Sequence, residues 1–184
     1  MPDIRNLIQD FSPREAKQIA DQALYRVGTV TQLVSSTAET NIFSFDIPSD
    51  LMFGTRAIRA TVLGTIFNNS GGANGATFKA KLNGVTQITD ATLAAIAAHA
   101  TDYIAITLQY LIGMNDSASA QSHFWSNKSA KGAIGASNVG AVSVGANSSV
   151  IDMSVSRTML VSVQLSANNA NLKWTTNNVI LEYL

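Results

Sequence analysis

The sequence predicts an all-β protein, a jelly-roll-like antiparallel β-sandwich preceded by a short helical N-terminal arm. Apolar residues alternate with polar ones at a period of two from Thr29 onward, which is the pattern of half-buried strands. Charged residues make up only 13% of the 184 residues, too few to cover the wet faces of many long helices. Turn signals such as Asn83-Gly84 separate about eight to ten apolar runs, with no alternation of strands and helices.

The arm, residues 1–28, has the punctuation of a helix. Ser12 can cap it, Pro13 occupies its first position, Glu15 completes a capping box and Gly28 is a natural stop. Two apolar stripes at helical spacing flank the cap: Ile4, Leu7, Ile8 and Phe11 before it, and Ala16, Ile19, Ala20, Ala23 and Leu24 after it. Helices this short are marginal alone in water, so the arm must dock on its own β-domain or on another chain. The candidate anchoring residues are Ile4, Leu7, Ile8, Phe11, Ile19 and Leu24.

The β-domain is predicted to span residues 29–184. Its expected strands are Thr29–Ser36, Asn41–Ile47, Arg56–Phe67, Ala76–Leu82, Val85–Ile88, Tyr103–Ile112, Met159–Leu165 and Leu172–Leu184. Residues 133–150, rich in Gly, Ala, Ser and Val, suit thin strands. Residues 90–101 are Ala-rich and fit either a short helix or a packed loop. Residues 117–132 form a polar segment that we interpret as a loop held by Phe124 and Trp125.

Some predicted strands are apolar on both faces. The second face carries Ala57, Leu63 and Phe67 on one strand, and Tyr103, Ala105 and Leu111 on another. An antiparallel sheet with one wet face alternates more cleanly, so either the arm or another subunit is expected to cover this face. Small residues and few charges there favour a symmetric homo-oligomer.

Composition and motifs argue against catalysis. The chain has no cysteine, which excludes disulfides and thiolate metal sites, and it has no histidine-based metal motif. His99 and His123 are interpreted as structural or solvated, and the scattered aspartates as turn and strand-end residues. No G-x-S-x-G elbow is present. We therefore predict no catalytic residue, cofactor or metal, and a protein that is not an enzyme.

Charge and hydropathy limit the partners. Twelve basic and twelve acidic residues give a net charge of zero, which argues against a nucleic-acid partner. No apolar run approaches the ~18 residues needed to span a bilayer, so no membrane partner is predicted. The opening MPDIRNLIQDF lacks the apolar core of a secretory signal, which predicts folding in a cytoplasm.

Two aromatic residues in the polar segment are candidates for binding. Phe124 and Trp125 could form a platform for the apolar face of a saccharide, or they could pack in the core. Trp174 and Tyr183 raise the same alternatives, but both belong to a predicted strand, which favours core packing.

Residues 54–84, GTRAIRATVLGTIFNNSGGANGATFKAKLNG, combine a long strand, an N-N-S-G loop and an Asn-Gly hairpin. With the later segments VSVQLSANNANL and NNVILEYL, this pattern resembles virion structural proteins of tailed bacteriophages over residues 54–184. The resemblance implies a jelly-roll subunit, often trimeric, on the outside of a phage particle and made in the host cytoplasm. Such subunits decorate or cement capsids, with the major capsid protein as partner, or form head fibres. The alternative that it implies is a receptor- or carbohydrate-binding module of a tail or collar fibre. The resemblance carries no catalytic residues.

Overall fold

The computed structural model describes residues 25–27, 31–49, 51–52, 56–101, 103–115, 119–131 and 142–184. All regular structure in these ranges is β-strand. The strands are β1 (Tyr25–Val27), β2 (Thr31–Val34), β3 (Thr40–Ile47), β4 (Ala57–Asn68), β5 (Ala76–Leu82), β6 (Val85–Asp90), β7 (Tyr103–Met114), β8 (Gln121–Lys131), β9 (Val142–Ser149), β10 (Arg157–Leu165) and β11 (Leu172–Tyr183).

The strands form two antiparallel sheets that pack face to face. The larger sheet has seven strands, six of them in the order β1-β11-β4-β7-β8-β9. The seventh strand, β2, pairs with β11 along the same edge as β1. The smaller sheet has the order β3-β10-β5-β6. Along its described strands the chain crosses between the sheets six times, as in jelly-roll-like sandwiches. The predicted all-β antiparallel sandwich is therefore confirmed.

The core lies between the sheets and follows the period of two in the sequence. On β5, Ala76, Phe78, Ala80 and Leu82 are completely buried, while the two lysines between them point outward. Strand β10 buries Met159, Val161, Val163 and Leu165 in the same way. The inward faces of both strands were predicted from the alternation of apolar residues. Removing this apolar surface from water stabilises the sandwich at roughly 25 cal/mol per Å².

A tryptophan marks the tightest packing in the core. Trp174 is fully buried and meets Phe78 edge to face, with ring centroids 5.0 Å apart, and its Nε1 donates to Thr176 Oγ1 at 2.9 Å. Gly64 on β4 lies under this ring. A Cβ at Gly64 would overlap the indole, so the absence of a side chain there lets the two strands pack. Core packing of Trp174 is confirmed.

The Asn83-Gly84 pair forms the predicted tight hairpin between β5 and β6. Both residues have positive φ, 52° at Asn83 and 78° at Gly84. Two consecutive positive φ values define a type I′ turn, whose twist matches that of the flanking strands.

Residues 90–101 form a packed loop, and the helical alternative is wrong. Turns and bends fill this stretch, and Ala76 N donates to Leu93 O at 2.8 Å. The buried amide of Asn68 faces three carbonyl oxygens at 2.8–2.9 Å, those of Gly72, Asn74 and Ile96. The backbone polar groups of this loop need hydrogen-bond partners, and the bonds that they form hold it in place. These bonds outweigh the tendency of its alanines to form a helix.

An ion cluster lies outside the smaller sheet. Glu39 bridges Lys79, at 2.7 Å, and Lys81, and it accepts a hydrogen bond from Ser162 Oγ at 2.6 Å. The bonds from Lys79, Lys81 and Ser162 lower the pKa of Glu39 to about 2. This cluster ties the segment before β3 to β5 and β10.

Two predictions of local structure are corrected. Tyr25–Val27, placed by the sequence pattern in the arm helix, form strand β1 opposite Val179–Leu181. The rest of the predicted arm helix lies outside the described residues. The polar segment from residue 117 was interpreted as a loop, but Gln121–Lys131 form strand β8 between β7 and β9. Pairing with two neighbouring strands outweighs its low apolar content.

Candidate functional site

The outer face of the larger sheet is the candidate functional surface. It carries the second apolar face that the sequence predicted. Phe67 and Tyr103 stack on it with centroids 4.9 Å apart, and Leu111 of β7 is opposite Phe124 of β8. In the described part of the chain nothing covers this face, and Tyr103 is 52% exposed.

Phe124 and Trp125, the predicted binding aromatics, separate to opposite faces of β8. The side chain of Phe124 is 49% exposed on the outer face, whereas Trp125 is 2% exposed in the core. Side chains of adjacent strand residues point in opposite directions, so β8 cannot present both rings to one ligand. The prediction that Trp125 binds a ligand at the surface is therefore wrong, and Phe124 remains a candidate surface residue.

Phe124 belongs to an apolar cluster that we call the β8–β9 patch, formed by Leu111, Phe124, Val144 and Ala146. In the strand register Phe124 is opposite Ala146, and Ser126 is opposite Val144. Val144 is 75% exposed. Diagonal neighbours on one sheet face lie within reach of an aromatic ring, so Phe124 and Val144 form one continuous apolar surface.

An open groove crosses the same face. It runs across β11, β4, β7 and β8, encloses about 300 Å³, and is lined mainly by Leu63, Thr65, Ala105, Thr107, Lys128 and Asn177. We call it the outer groove. Its floor is made of Leu63 together with small and β-branched side chains, and it ends at Lys128 on one side and Asn177 on the other.

Two charged side chains of the outer face form an ion pair. Arg59 Nε bonds to Glu182 Oε2 at 2.7 Å across β4 and β11, and this bond raises the pKa of Arg59. The pair is thereby neutralised within the sheet. The apolar patch and groove rather than an ionic site dominate this surface.

A network of polar side chains is buried beneath that face. His123 has no exposed surface, and its Nδ1 accepts from the Tyr110 hydroxyl at 2.9 Å. Its Nε2 bonds to Ser149 Oγ at 2.7 Å, and Ser149 donates onward to Gln121 Oε1 at 2.9 Å. At the end of this series of hydrogen bonds, Gln121 Nε2 donates to Ile151 O at 2.7 Å, and Gln121 Oε1 accepts from Ile151 N at 3.0 Å. Every donor in this chain has an acceptor when His123 is the neutral Nε2–H tautomer.

A second buried network surrounds a carboxylate at the end of β6. Asp90 is 4% exposed and accepts bonds from Trp125 Nε1 at 2.8 Å, Asn127 Nδ2 at 3.0 Å and Thr92 N at 2.9 Å. Burial alone would raise the pKa of Asp90, but the hydrogen bonds from Thr92, Trp125 and Asn127 outweigh it and lower the pKa. The strand-end role predicted for Asp90 is confirmed.

The histidine and the aspartate in these two networks are residue types that often act as acids or bases in catalysis, and their polar atoms are already bonded inside the protein. Both ring nitrogens of His123 are bonded inside the core, and Asp90 is sealed under β8. Within the described ranges, no three His, Cys, Asp or Glu residues come together as metal ligands. None of the described residues belongs to a helix with the length and hydropathy needed to cross a membrane.

Sequence reasoning did not find these networks. On β8 the inward positions are Gln121, His123, Asn127 and Ser129 together with Trp125, which reverses the usual apolar-in pattern. The available signal was the alternation itself, in which the histidine, the tryptophan and the asparagine recur at a period of two. Of the predicted site residues, Ile4, Leu7, Ile8, Phe11, Ile19 and Leu24 lie outside the described residues.

Stability should depend on pH through His123. Burial lowers the pKa of His123 to about 4 from 6.5, so the unfolded chain takes up this proton at a higher pH than the folded chain. Stability should be complete above pH 6.5 and fall as the pH drops toward 4, by about 2 kcal/mol at pH 5. Urea midpoints at pH 7 and pH 5 measure the loss.

Matched variants isolate this histidine. His123→Gln should be less stable at pH 7 but should lose less on going to pH 5, whereas His99→Gln, altered at an exposed position, should keep the full loss. An equal loss in the His123→Gln protein would show that another group is responsible.

Comparisons with known proteins give no family. No protein-family model matches the chain, and no curated protein does. Among solved structures, the CBM2 module of the evolved Dit of Lactobacillus casei BL23 phage J-1 is 8% identical with a TM-score of 0.34, covering 75% of this chain and 66% of that one, just under two thirds. Lectin I from Ulex europaeus is 6% identical with a TM-score of 0.36, covering 89% and 98%. Infectious bursal disease virus Gt strain is 14% identical with a TM-score of 0.33, covering 88% and 41%. Similarity this low assigns no function.

Proposed function

We propose that this protein is a structural subunit of a bacteriophage particle, a trimeric capsid decoration or cement protein attached through its N-terminal arm. The observation that carries the proposal is the β8–β9 patch, where Phe124 is 49% and Val144 75% exposed. An apolar surface of this kind on a chain with 13% charged residues and zero net charge favours association with further copies.

The buried polar groups support a binding role rather than a catalytic one. His123, Tyr110 and Asp90 are held in internal hydrogen bonds, where they specify the packing of β8. The outer face offers apolar side chains, hydroxyls and amides instead. The resemblance of residues 54–184 to phage virion proteins points to the same class.

The patch predicts the effect of two substitutions on assembly. Light scattering after gel filtration should give a mass about three times 19.5 kDa for the unaltered protein. Phe124→Ser with Val144→Ser should shift the mass toward the monomer with little change in the urea midpoint, because Val144 is largely exposed and Phe124 is about half exposed.

Val85 supplies the control, since it is 55% exposed at the β5–β6 hairpin of the smaller sheet and does not belong to the patch. Val85→Ser should leave the mass unchanged. A monomeric unaltered protein, or a patch variant that keeps the full mass, would contradict an interface at the patch.

Attachment through the arm is tested on purified phage particles. Deleting residues 1–24 retains β1, and the shortened protein should remain a trimer but lose particle binding. Leu7→Asp with Ile8→Asp in the full chain should have the same effect, because charges would break the first apolar stripe. Full occupancy by either variant would overturn the anchoring role.

A receptor- or carbohydrate-binding module is the second candidate, favoured by the exposed ring of Phe124. Beside it Ser126 Oγ donates to Gln109 Oε1 at 3.3 Å, so hydroxyl and amide groups flank an apolar ring as saccharide recognition requires. Glycan-array binding that disappears in Phe124→Ala would support this role. An array without hits would remove it.

A further inference from the structure

The outer groove continues into the stacked rings of Phe67 and Tyr103, which we call the aromatic pair. Phe67 is opposite Tyr103 in the strand register, and the next outward pair along the same two strands, Thr65 and Ala105, lies in the groove. From Tyr103 to Thr107 this surface is about 14 Å long at ~3.4 Å per residue. The groove and the aromatic pair therefore form one elongated surface with a ring at one end.

Two lysines flank this surface, and neither has a carboxylate partner among the described residues. Lys173 of β11 is opposite Phe67, and Lys128 of β8 is opposite Thr107. The ion pairs formed in the described part of the chain use other cations. None of the described residues that line the groove is acidic. A ligand of this surface therefore gains from negative charge.

A β-bulge in β11 adds an amide to the rim of the groove. The pairing with β4 skips Asn177, which lies between Thr176 and Asn178. Asn177 is exposed and lines the groove, and its side chain forms no hydrogen bond to the residues that the structure describes. Bulges are frequent beside binding sites, where the extra residue re-aims a side chain. Here the bulge leaves the donor and the acceptor of one amide free at the groove.

We propose that the outer groove and the aromatic pair bind an acidic saccharide, a short oligosaccharide that bears carboxylates. The ring of Tyr103, which is 52% exposed, stacks on the apolar face of one sugar. The threonine hydroxyls and the asparagine amide that line the groove bond to sugar hydroxyls, and the two lysines face the carboxylates. The inference goes beyond both proposed functions, because its site lies outside the β8–β9 patch and its ligand is acidic.

The position of the groove favours a saccharide over an acidic peptide. Its floor crosses four strands that each have neighbours on both sides, so their main-chain N–H and C=O groups are already paired. An extended peptide would find no strand edge here, and pairing with such an edge is a common source of its affinity. Recognition must come from side chains, and an aromatic ring beside hydroxyl and amide groups suits a sugar.

Saturation-transfer NMR and calorimetry on the full-length protein test the inference with matched probes. Oligosaccharides of galacturonic acid and of glucuronic acid are compared with the same chains of galactose and of glucose, and sialyllactose is compared with lactose. A glutamate peptide supplies negative charge without a sugar. At least one acidic saccharide should bind more tightly than its neutral counterpart and more tightly than the peptide.

Variants assign the binding to this site. Tyr103→Ala should weaken the affinity for the acidic saccharide about tenfold through loss of stacking, and Tyr103→Phe should retain most of it. Lys128→Gln with Lys173→Gln should reduce the preference for the acidic over the neutral sugar by about fivefold without changing the affinity for the neutral one. Phe124→Ala, on the same face but outside the site, is the control and should bind like the unaltered protein.

The inference would be overturned if no acidic saccharide bound more tightly than its neutral counterpart, or if the glutamate peptide bound equally well. Binding that survives Tyr103→Ala would overturn it as well. Binding that is lost in Phe124→Ala would place the ligand at the platform of the second candidate function and overturn the groove site. None of these results changes the mass measured by light scattering, so the trimeric subunit and the saccharide site stand or fall separately.

Discussion

Gly75→Ala should destabilise the protein by more than about 3 kcal/mol, because the added methyl group has no space. A Cβ at Gly75 would overlap the carbonyl oxygen of Leu93, which accepts the backbone N–H of Ala76 at 2.8 Å. Gly75 is also bound on both sides to Ser166, whose Oγ and N lie 2.8 and 2.9 Å from its N and O. The methyl group can be accommodated only if the loop after β6 moves away from β5.

Gly113→Ala is the matched control for that measurement. Gly113 belongs to β7, and a Cβ there would meet nothing within 4 Å. Its urea midpoint should correspond to a change within about 0.5 kcal/mol. Equal midpoints for the two variants would show that the loop moves at little cost in free energy. They would also show that the hydrogen bond from Ala76 N to Leu93 O contributes little to stability.

Asp90→Ala should cost about 3–5 kcal/mol in unfolding free energy. The substitution leaves Trp125 Nε1, Asn127 Nδ2 and Thr92 N without their acceptor in a buried site. Since the pKa of Asp90 is lowered, its contribution is complete above pH 4 and is lost on acidification below its ordinary value of 3.8. Urea unfolding at pH 7 measures the loss.

Asp90→Asn separates hydrogen bonding from shape. An amide has one acceptor oxygen where the carboxylate has two, so one donor must face the NH₂ group in either orientation. The expected loss is about 1–3 kcal/mol, between the alanine variant and wild type. Asp46→Ala, which removes an exposed carboxylate bonded to Thr158, should cost less than about 1 kcal/mol. A loss for Asp90→Ala no larger than for Asp46→Ala would contradict the buried network.

Residues whose environment is set by the local pattern were predicted well from the sequence. Strand β5 has the predicted bounds, Ala76–Leu82, and the Asn83-Gly84 turn has the expected positive φ values. Both depend on the period of two and on the steric freedom of adjacent residues.

Features that depend on distant partners were not predicted. His123 is buried because Tyr110 and Ser149 come from the neighbouring strands, 13 and 26 residues away. Strand β1 is only three residues long and pairs with the far end of the chain, so the helical pattern before it gave no sign of a strand. Phe124 and Trp125 were correctly identified as unusual, but only the register of β8 decides which of them is exposed.

Strand β11 pairs with β4 on one side and with both β1 and β2 on the other, although Gln32 and its partner Thr175 are 143 residues apart. The order of synthesis therefore matters. Until β11 has left the ribosome, β4 lacks its neighbour on one side in the larger sheet, and until β10 has emerged, the smaller sheet lacks the strand that joins β3 to β5. Contacts so distant in sequence make folding slow relative to that of helical proteins of the same size. The nascent chain is thus most prone to aggregate while β10 and β11 have not yet emerged from the ribosome.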